Sequence, residues 1–591
     1  MYLVTTHREL EEKKISQLDV ILVTGDTYID SAYIGAAMIG RVLENAGYSV
    51  GIIAQPDTKN TEDISRLGQP RLFWGITSGS VDSMVANYTA QKKFRRQDDL
   101  TPGEVNNRRP DRAVLVYSNL VRQAFKVTAP IVLGGVEASL RRIAHYDFWN
   151  NKIRNPILFD AKADYLLYGM AEKAVLELAG ALSQGQSAYH IKGLCYIAPK
   201  APEDYLLLPS SEECKENKHS FTQCFRLFYD NQDPRTAKGL VQALGDRFLV
   251  HNPPQPSETQ AEMDLFYGLP FTGQVHPHYQ AMGKVRAMDT IAYSITSHRG
   301  CYGECRFCAI ALHQGRRVRW RSEASIMAEA RGFTEQPGFR GFISDIGGPT
   351  ANMYGYECPK KIKTGACLDK SCLYPQVCAS LPINHKPQLK LLEGVSRIPG
   401  VKKVFLASGL RYDLILADTK QGENYLKAIL KNHTSGQLKL APEHSEPEVL
   451  SAMGKPEIGQ LDVFLKLFAR SNPEGKEKKF LTYYFIAAYP GCSDKEMQKL
   501  KNYIKQKLKI RPEQIQIFMP TPCTWASVMY YTETDPFTGK ALFVEKDPNK
   551  RQKQKDILHS NPVFHKEMRE KNPKPKKITS HFTPVKRRNK K

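Results

Sequence analysis

Several features that would place this chain in a membrane or outside the cell are missing from its sequence. No uninterrupted apolar run approaches the roughly 18 residues of a membrane-spanning helix. Residues 1–14 mix acidic and basic side chains, and no apolar segment of an export signal follows them. Cysteine is scarce, at 12 of 591 residues, which excludes a small disulfide-built scaffold. These absences predict a cytoplasmic protein with reduced thiols and no membrane partner.

The composition instead favours a large folded protein with an uneven charge. Hydrophobic residues make up 41% of the chain, which is enough for several packed domains. The formal net charge is +23, and residues 546–591 hold 16 basic against 4 acidic residues. We therefore predict a flexible basic C-terminal tail over residues 541–591. Such a tail either contacts RNA or another polyanion, or only aids solubility.

The first part of the chain alternates strand-like and helical patterns. A strand-like run at 19–24 is followed by a helical pattern at 35–47 and a second strand-like run at 48–54. Further strands are predicted at 72–76, 113–117, 130–134 and 164–168. Short loops between such units favour a parallel sheet with helices on both faces. We predict an α/β, doubly wound domain over residues 1–200, followed by a connector over 201–286.

Polar and glycine residues follow several of these predicted strands. They are Asp26, Asp30, Gly134, Gly135 and Glu137. Ligands of doubly wound domains bind beyond the carboxyl ends of the strands, so these residues are candidates for a binding site. The alternative is that they only form turns and helix caps.

A second alternating series occupies residues 287–540. Its predicted strands lie at 289–295, 341–345, 403–407, 437–440, 480–486 and 513–518. Helical patterns separate most of them. Six strands in this order predict a partial (β/α)6 barrel, whose chemistry would lie at the C-terminal ends of the strands.

Seven of the twelve cysteines lie between positions 301 and 378, and three of them follow the first strand of this series. Cys301, Cys305 and Cys308 are separated by three and then two residues, on a loop short enough to surround one compact cluster. Three thiolates leave one iron of a 4Fe-4S cluster open for another ligand. The alternative is a zinc site completed by His298.

This loop, with Phe307 before its last cysteine, resembles the signature of the radical S-adenosylmethionine (SAM) superfamily. The resemblance implies an enzyme in which the open iron binds SAM. It also implies that Phe307 packs beside the adenine, and that Gly347 and Gly348, which follow the second strand, meet the methionine part of SAM. Ser408 and Arg411 are further candidates for SAM contacts; otherwise they are a helix cap and a surface charge.

Motifs along nearly the whole chain are similar to those of the YgiQ-type radical SAM proteins. They include Gly25-Asp26-x-Tyr28-x-Asp30, Gly134-Gly135-x-Glu137, Gly348-Pro-Thr-Ala-Asn-Met-Tyr354 and Ser408-Gly-Leu-Arg-Tyr-Asp413. The resemblance implies a low-potential electron donor such as flavodoxin or ferredoxin. It identifies neither the substrate nor a catalytic residue. An RNA-binding protein with a structural metal, or a radical enzyme that modifies RNA, is the alternative function.

The N-terminal domain is also similar in outline to the cobalamin-binding domains that precede many radical SAM barrels. Their Asp-x-His-x-x-Gly motif falls here on residues 30–35, where Ala32 replaces the histidine. Ala32 cannot ligate cobalt, which argues against cobalamin, although cobalamin can be held without that ligand.

Four more cysteines lie within an insertion at residues 355–380, namely Cys358, Cys367, Cys372 and Cys378. Four thiolates this close together can hold an auxiliary iron–sulfur cluster or a zinc ion, or can be unrelated thiols. The basic run at residues 313–321 has two interpretations. Arginines interleaved with Trp320 can contact RNA, or they can pair with acidic groups inside the protein.

Overall fold

A computed structural model describes residues 2–559 and contains a nine-stranded sheet followed by an open barrel. The strands are β1 (Val20–Thr24), β2 (Val50–Ala54), β3 (Phe73–Thr77), β4 (Ile131–Leu133), β5 (His145–Asp147), β6 (Lys152–Arg154), β7 (Tyr165–Leu167), β8 (Leu194–Ala198), β9 (Leu206–Leu208), β10 (Leu240–Leu244), β11 (Arg247–His251), β12 (Ser294–Thr296), β13 (His298–Arg299), β14 (Arg319–Trp320), β15 (Phe342–Ile343), β16 (Asp345–Gly347), β17 (Lys403–Val404), β18 (Gln437–Glu443), β19 (Phe480–Ala487) and β20 (Gln514–Ile517).

The α-helices fill the connections between these strands. They are α1 (His7–Glu12), α2 (Gly35–Asn45), α3 (Glu62–Ser65), α4 (Ser83–Asn87), α5 (Ala113–Ala124), α6 (Gly135–Ser139), α7 (Ile157–Asp160), α8 (Glu172–Ser183), α9 (Ser211–Glu216), α10 (Lys218–Asp230), α11 (Gln260–Tyr267), α12 (Pro277–Gln280), α13 (Met288–Ile291), α14 (Ile310–His313), α15 (Glu323–Thr334), α16 (Pro359–Thr364), α17 (Lys386–Ser396), α18 (Tyr412–Ala417), α19 (Gly422–Ala428), α20 (Pro447–Met453), α21 (Gly459–Ser471), α22 (Asp494–Tyr503), α23 (Trp525–Thr532) and α24 (Pro548–His559). Within the described residues none of these helices is both long and apolar enough to cross a membrane.

The nine-stranded sheet has the order β2-β1-β3-β4-β7-β8-β11-β10-β9. Its first five strands are parallel, in the 2-1-3-4-5 order typical of one class of doubly wound folds. Strands β1 and β2 are buried along their whole length, as expected for parallel strands covered on both faces. The α/β doubly wound fold class predicted for this part of the chain is confirmed.

Two local predictions in the N-terminal half are wrong. The apolar run 113–117, predicted as a strand, starts helix α5, because a run of five apolar residues does not distinguish a strand from a buried helix. The segment 201–286, predicted as a connector, supplies strands β9, β10 and β11 to the sheet. The sheet therefore extends about fifty residues past the predicted domain boundary at 200.

The second half forms the predicted partial barrel of parallel strands. Strand β12 pairs with β16, β15 pairs with β17, and β18, β19 and β20 form one sheet. A parallel bridge between Leu410 and Leu440 joins the β17 side to β18. The strands thus follow one another in chain order around the barrel, with their carboxyl ends facing the N-terminal domain.

The prediction of a flexible tail from residue 541 is wrong for residues 548–559, which form α24. Three of its side chains, Arg551, Gln554 and Leu558, are buried. Gln554 accepts a hydrogen bond from the Ala488 amide at 3.0 Å, so the helix closes on the barrel next to β19. The rest of the predicted tail, residues 560–591, lies outside the described residues.

Candidate functional site

A cavity of about 520 Å³ lies between the sheet and the barrel. On one side it is bounded by residues that follow β1, β3, β4 and β7, where the order of the sheet places a ligand site. Asp26, Gly134 and Gly135, predicted from the sequence, are among them. Asp30 and Glu137 do not line the cavity.

The cavity continues as an apolar slot along one face of the sheet. Leu22, Phe73 and Val132 of the sheet form one wall of this slot, and Met38 of α2 and Val175 of α8 form the other. All five side chains are at least nine-tenths buried. The site therefore combines a polar mouth at the strand ends with a deep apolar extension.

The barrel side of the cavity is built around the Gly347–Gly348 turn at the end of β16. A Cβ added to Gly347 would lie 2.8 Å from the Ser408 Oγ, and a Cβ added to Gly348 would lie 2.6 Å from the His298 Nε2. Glycine is the residue that allows this close approach. Asp345 accepts a hydrogen bond from the Ser408 hydroxyl and one from the Ala407 amide at 2.8 Å. The structure thus brings three sequence-predicted residues, Gly347, Gly348 and Ser408, together in one wall of the cavity.

The three cysteines of the loop lie directly behind that wall. A Cβ on Gly303 would lie 3.3 Å from the Cys301 Sγ and 3.6 Å from the Cys305 Sγ, so the two sulfurs face the same small space. The Gly303 amide donates to the Cys301 Sγ at 3.3 Å. Burial raises the pKa of Cys308 to about 12, and the nearby Cys305 raises it further. A bound metal would overcome this, since metal-bound thiols are deprotonated.

These residues fit an iron–sulfur cluster. Three thiols come from one eight-residue loop, and N–H donors already point at two of the sulfurs, which suits negatively charged cluster ligands. Within residues 2–559 no three Cys, His, Asp or Glu side chains are close enough to hold a single metal ion. A cluster requires a wider spacing, since each thiolate binds a separate iron.

Arg411 occupies a different place from the one the sequence suggested. Its Nε donates to Asp413 at 2.9 Å, and its Nη1 points at the Cys305 Sγ at 3.8 Å. It does not line the cavity. Although burial favours its neutral form, Asp413 holds the pKa of Arg411 above its usual value. Arg411 therefore lies beside the cysteine loop, and its contact with SAM stays a prediction.

Phe307 also lies outside the cavity lining, half-buried, with its ring 6.2 Å from that of Tyr489 in an edge-to-face arrangement. The second cysteine group packs near the loop: Cys358 is buried, and Cys372 and Cys301 pack against the same small apolar cluster. Burial raises the pKa of Cys372 to about 11. A metal site at Cys358, Cys367, Cys372 and Cys378 stays a prediction.

The basic run at 313–321 points inward. Arg319 pairs with Glu258 at 2.6 Å, Arg321 bonds with Glu329, and Arg316 lies 3.9 Å from Glu304. All three arginines are at least nine-tenths buried. Of the two interpretations of this run, the pairing with acidic groups is the one that these contacts bear out.

The motif that would hold cobalt is arranged for another purpose. Ala32 lines the cavity, whereas the carboxylate of Asp30 is fully buried and paired with Arg41. Asp30 also accepts a hydrogen bond from the Thr272 amide at 2.9 Å. Neither residue can supply or orient a ligand for the metal at this position.

Sequence reasoning missed three polar residues of the cavity. Asp345 precedes the glycine turn, Glu172 begins α8 after β7, and His313 ends α14 after the cysteine loop. Glu172 and Arg299 form an ion pair at 2.7 Å that joins the two domains. The position of Glu172 at a strand end was the available signal; the partner across the interface was not visible in the sequence.

Comparison with known proteins shows the family. The family model described as Radical SAM N-terminal matches residues 2–294. A UPF0313 protein of Fusobacterium nucleatum is 55% identical over 94% of this chain and 98% of its own length. A UPF0313 protein of Thermotoga maritima is 46% identical over 97% of this chain and 100% of its own length.

Among solved structures, the radical SAM methyltransferase TsrM of Kitasatospora setae, with tryptophan substrate and a SAM analogue bound, is similar in fold. Its TM-score is 0.51 at 14% identity, over 92% of this chain and 89% of TsrM. A second TsrM structure, with cobalamin and a [4Fe-4S] cluster bound, has a TM-score of 0.50 and covers 91% of TsrM. The similarity to TsrM concerns the fold, and the close relatives decide the family. This chain belongs to the UPF0313 family, the YgiQ-type radical SAM proteins whose motifs its sequence carries.

Proposed function

We propose that this protein is a radical SAM enzyme that binds a 4Fe-4S cluster through Cys301, Cys305 and Cys308, and SAM at the Gly347–Gly348 turn. The observation that best supports this is that the glycine turn, Ser408 and the helix after the cysteine loop meet at one cavity. When bound, such a cluster supplies one electron that cleaves SAM to methionine and a 5′-deoxyadenosyl radical, which takes a hydrogen atom from the substrate. Flavodoxin or ferredoxin is the proposed electron donor.

The residues of the chain prepare the cavity for SAM. Gly347 and Gly348 leave backbone exposed for close approach, and the Asp345 carboxylate offers a negative partner for a cationic ligand. SAM carries a sulfonium and an ammonium group, so Asp345 favours its binding. The apolar residues of the adjoining slot keep water away from the reacting atoms, which a radical reaction requires.

The test is made on protein purified without oxygen and reconstituted with iron and sulfide. Reduction in the presence of SAM is expected to give 5′-deoxyadenosine, measured by chromatography, together with the brown absorbance of a cluster. Cys305→Ala is expected to lose both signals. Cys214→Ala, a buried thiol on α9 away from the loop, is the matched control and should keep both. If Cys305→Ala retains iron and SAM cleavage, the proposal is wrong.

A corrinoid is a second cofactor candidate for the same cavity. The apolar slot along the sheet can receive the tail of a large two-part ligand while its flat ring lies at the strand ends. TsrM, whose fold is similar, is described with cobalamin bound. Because Ala32 offers no ligand, the cobalt would have no protein atom below it from this motif. The absorbance of protein incubated with hydroxocobalamin and then desalted decides between retention and release.

A further inference from the structure

One wall of the cavity carries a buried carboxylate oxygen with no partner. Glu172 is 3% exposed, and its Oε1 pairs with Arg299 at 2.7 Å, whereas its Oε2 has no hydrogen-bond partner among the described residues. Burial raises the pKa of Glu172, but the adjacent Arg299 guanidinium outweighs burial and holds that pKa below its usual value. The group is therefore ionised at neutral pH. An ionised oxygen left unsatisfied costs free energy unless a ligand supplies a donor.

An imidazole lies next to this carboxylate. His313 lines the same cavity from the barrel side, and its Nδ1 is buried without a partner in residues 2–559. The backbone fixes the two groups near each other: a Cβ on Gly169, three residues before Glu172, would lie 3.3 Å from the His313 carbonyl oxygen. Burial lowers the pKa of His313 to about 4, so the ring is neutral at pH 7. It can donate or accept one further hydrogen bond.

The charges of the lining select the sign of a ligand. Asp26, Glu172 and Asp345 line the cavity, against one basic residue, Arg299. The positive charge of Arg299 is already shared between Glu172 at 2.7 Å and Glu258 at 4.0 Å. An anionic ligand would meet an uncompensated negative field in a space with little water. This disfavours carboxylate and phosphate substrates, including an RNA chain, in the cavity.

Resting on the proposed function, we infer that Glu172 and His313 form the substrate-binding wall of this site, and that the substrate is a small, largely apolar molecule with an amine head group. The Glu172 Oε2 accepts a hydrogen bond from the amine, His313 contacts the same polar head, and the apolar body lies in the slot. Both residues act as binding residues and neither is assigned a proton transfer.

The experiment measures binding of matched small probes to full-length, cluster-loaded protein in the presence of SAM. The probes are 2-phenylethylamine, 2-phenylethanol and 3-phenylpropionate, which share the aromatic body and differ in the head group. Calorimetry is expected to give a Kd for the amine at least about tenfold lower than for the carboxylate, the equivalent of about 1.4 kcal/mol. Glu172→Gln is expected to weaken amine binding by about tenfold or more, and His313→Ala by a smaller factor.

Glu177→Gln is the matched control, because Glu177 lies on the same helix but is exposed. The inference is overturned if the carboxylate binds as tightly as the amine, if no amine binds, or if Glu172→Gln binds the amine like the wild type. Because Glu172→Gln also perturbs the pair with Arg299, His313→Ala, which breaks no hydrogen bond of its Nδ1, provides the second reading. SAM cleavage without substrate is measured in the same samples. Its absence in the wild type refutes the proposed function, whereas its presence with unaltered amine binding in the variants refutes only this inference.

Discussion

Gly348→Ala tests the SAM-binding wall most directly. The added Cβ would lie 2.6 Å from the His298 Nε2 and 2.7 Å from the His298 carbonyl oxygen, where ordinary contacts begin at 3.4 Å. His298 cannot retreat, since its Nδ1 is bonded to the Ser297 hydroxyl at 2.8 Å and its Nε2 to the Thr350 carbonyl at 2.9 Å. The turn itself must therefore move by close to 1 Å.

Overpacking of this kind costs about 1–3 kcal/mol. If the strain is relieved by moving the turn out of its binding position, the same free energy appears as about 5- to 140-fold weaker SAM binding. The assay is equilibrium dialysis of labelled SAM with reconstituted protein, alongside urea unfolding to measure how much strain the fold retains. We expect the loss in binding and the loss in stability together to account for the strain.

The control is Gly409→Ala, one residue after Ser408. A Cβ there meets no atom within 4 Å, so both SAM affinity and stability should stay at the wild-type value. The reasoning is refuted if Gly348→Ala binds SAM normally and unfolds at the wild-type urea concentration. It is also refuted if Gly409→Ala loses as much as Gly348→Ala.

Three further changes have defined outcomes. Arg411→Gln removes a positive charge beside the Cys305 sulfur and should lower the midpoint potential of the bound cluster by about 60 mV or more, followed by redox titration with electron paramagnetic resonance; Arg411→Lys should restore part of it, and equal potentials in all three proteins would contradict the assignment. Burial raises the pKa of Asp418, but hydrogen bonds from His385 lower it to about 2, so stability should fall as the pH drops from about 4 towards 2, and Asp418→Asn should remove that part of the urea-unfolding profile; an unchanged profile would show that the pair is not responsible. Ending the chain after residue 559 should weaken RNA binding and its salt dependence if the basic segment contacts RNA, with unaltered thermal stability, whereas ending it at 545 should also destabilise the barrel by removing α24; identical stability of the two truncations would be inconsistent with the packing of α24.

The features predicted correctly from the sequence are those encoded locally. Cys301, Cys305 and Cys308 share one loop, and the glycine turn follows a strand directly, so spacing alone places them together. The doubly wound pattern was readable because its buried strands are continuous apolar runs bounded by turns.

The incorrect predictions concern properties set by tertiary contacts. Arg411 belongs to Asp413 and Cys305 because of how α18 approaches the loop, which no spacing in the sequence encodes. The arginine run 316–321 looked like an exposed basic surface, yet its partners Glu258, Glu304 and Glu329 are brought to it only by folding. Likewise, the high charge of residues 548–559 indicated a solvated segment, although Arg551 and Gln554 find backbone partners inside the protein.

The position of α24 has a consequence for how the protein is made. Arg551 donates to the Ala90 carbonyl at 3.1 Å and to that of Phe518, so this last described helix joins the N-terminal domain to the barrel. The nine-stranded sheet is complete once residue 251 has left the ribosome, whereas the joint must wait for the roughly 300 residues that follow. At about 5–20 residues per second, this interval lasts about 15–60 s. The newly made sheet therefore spends much of its synthesis with its ligand-binding edge uncovered, and the cavity acquires its second wall only as translation ends.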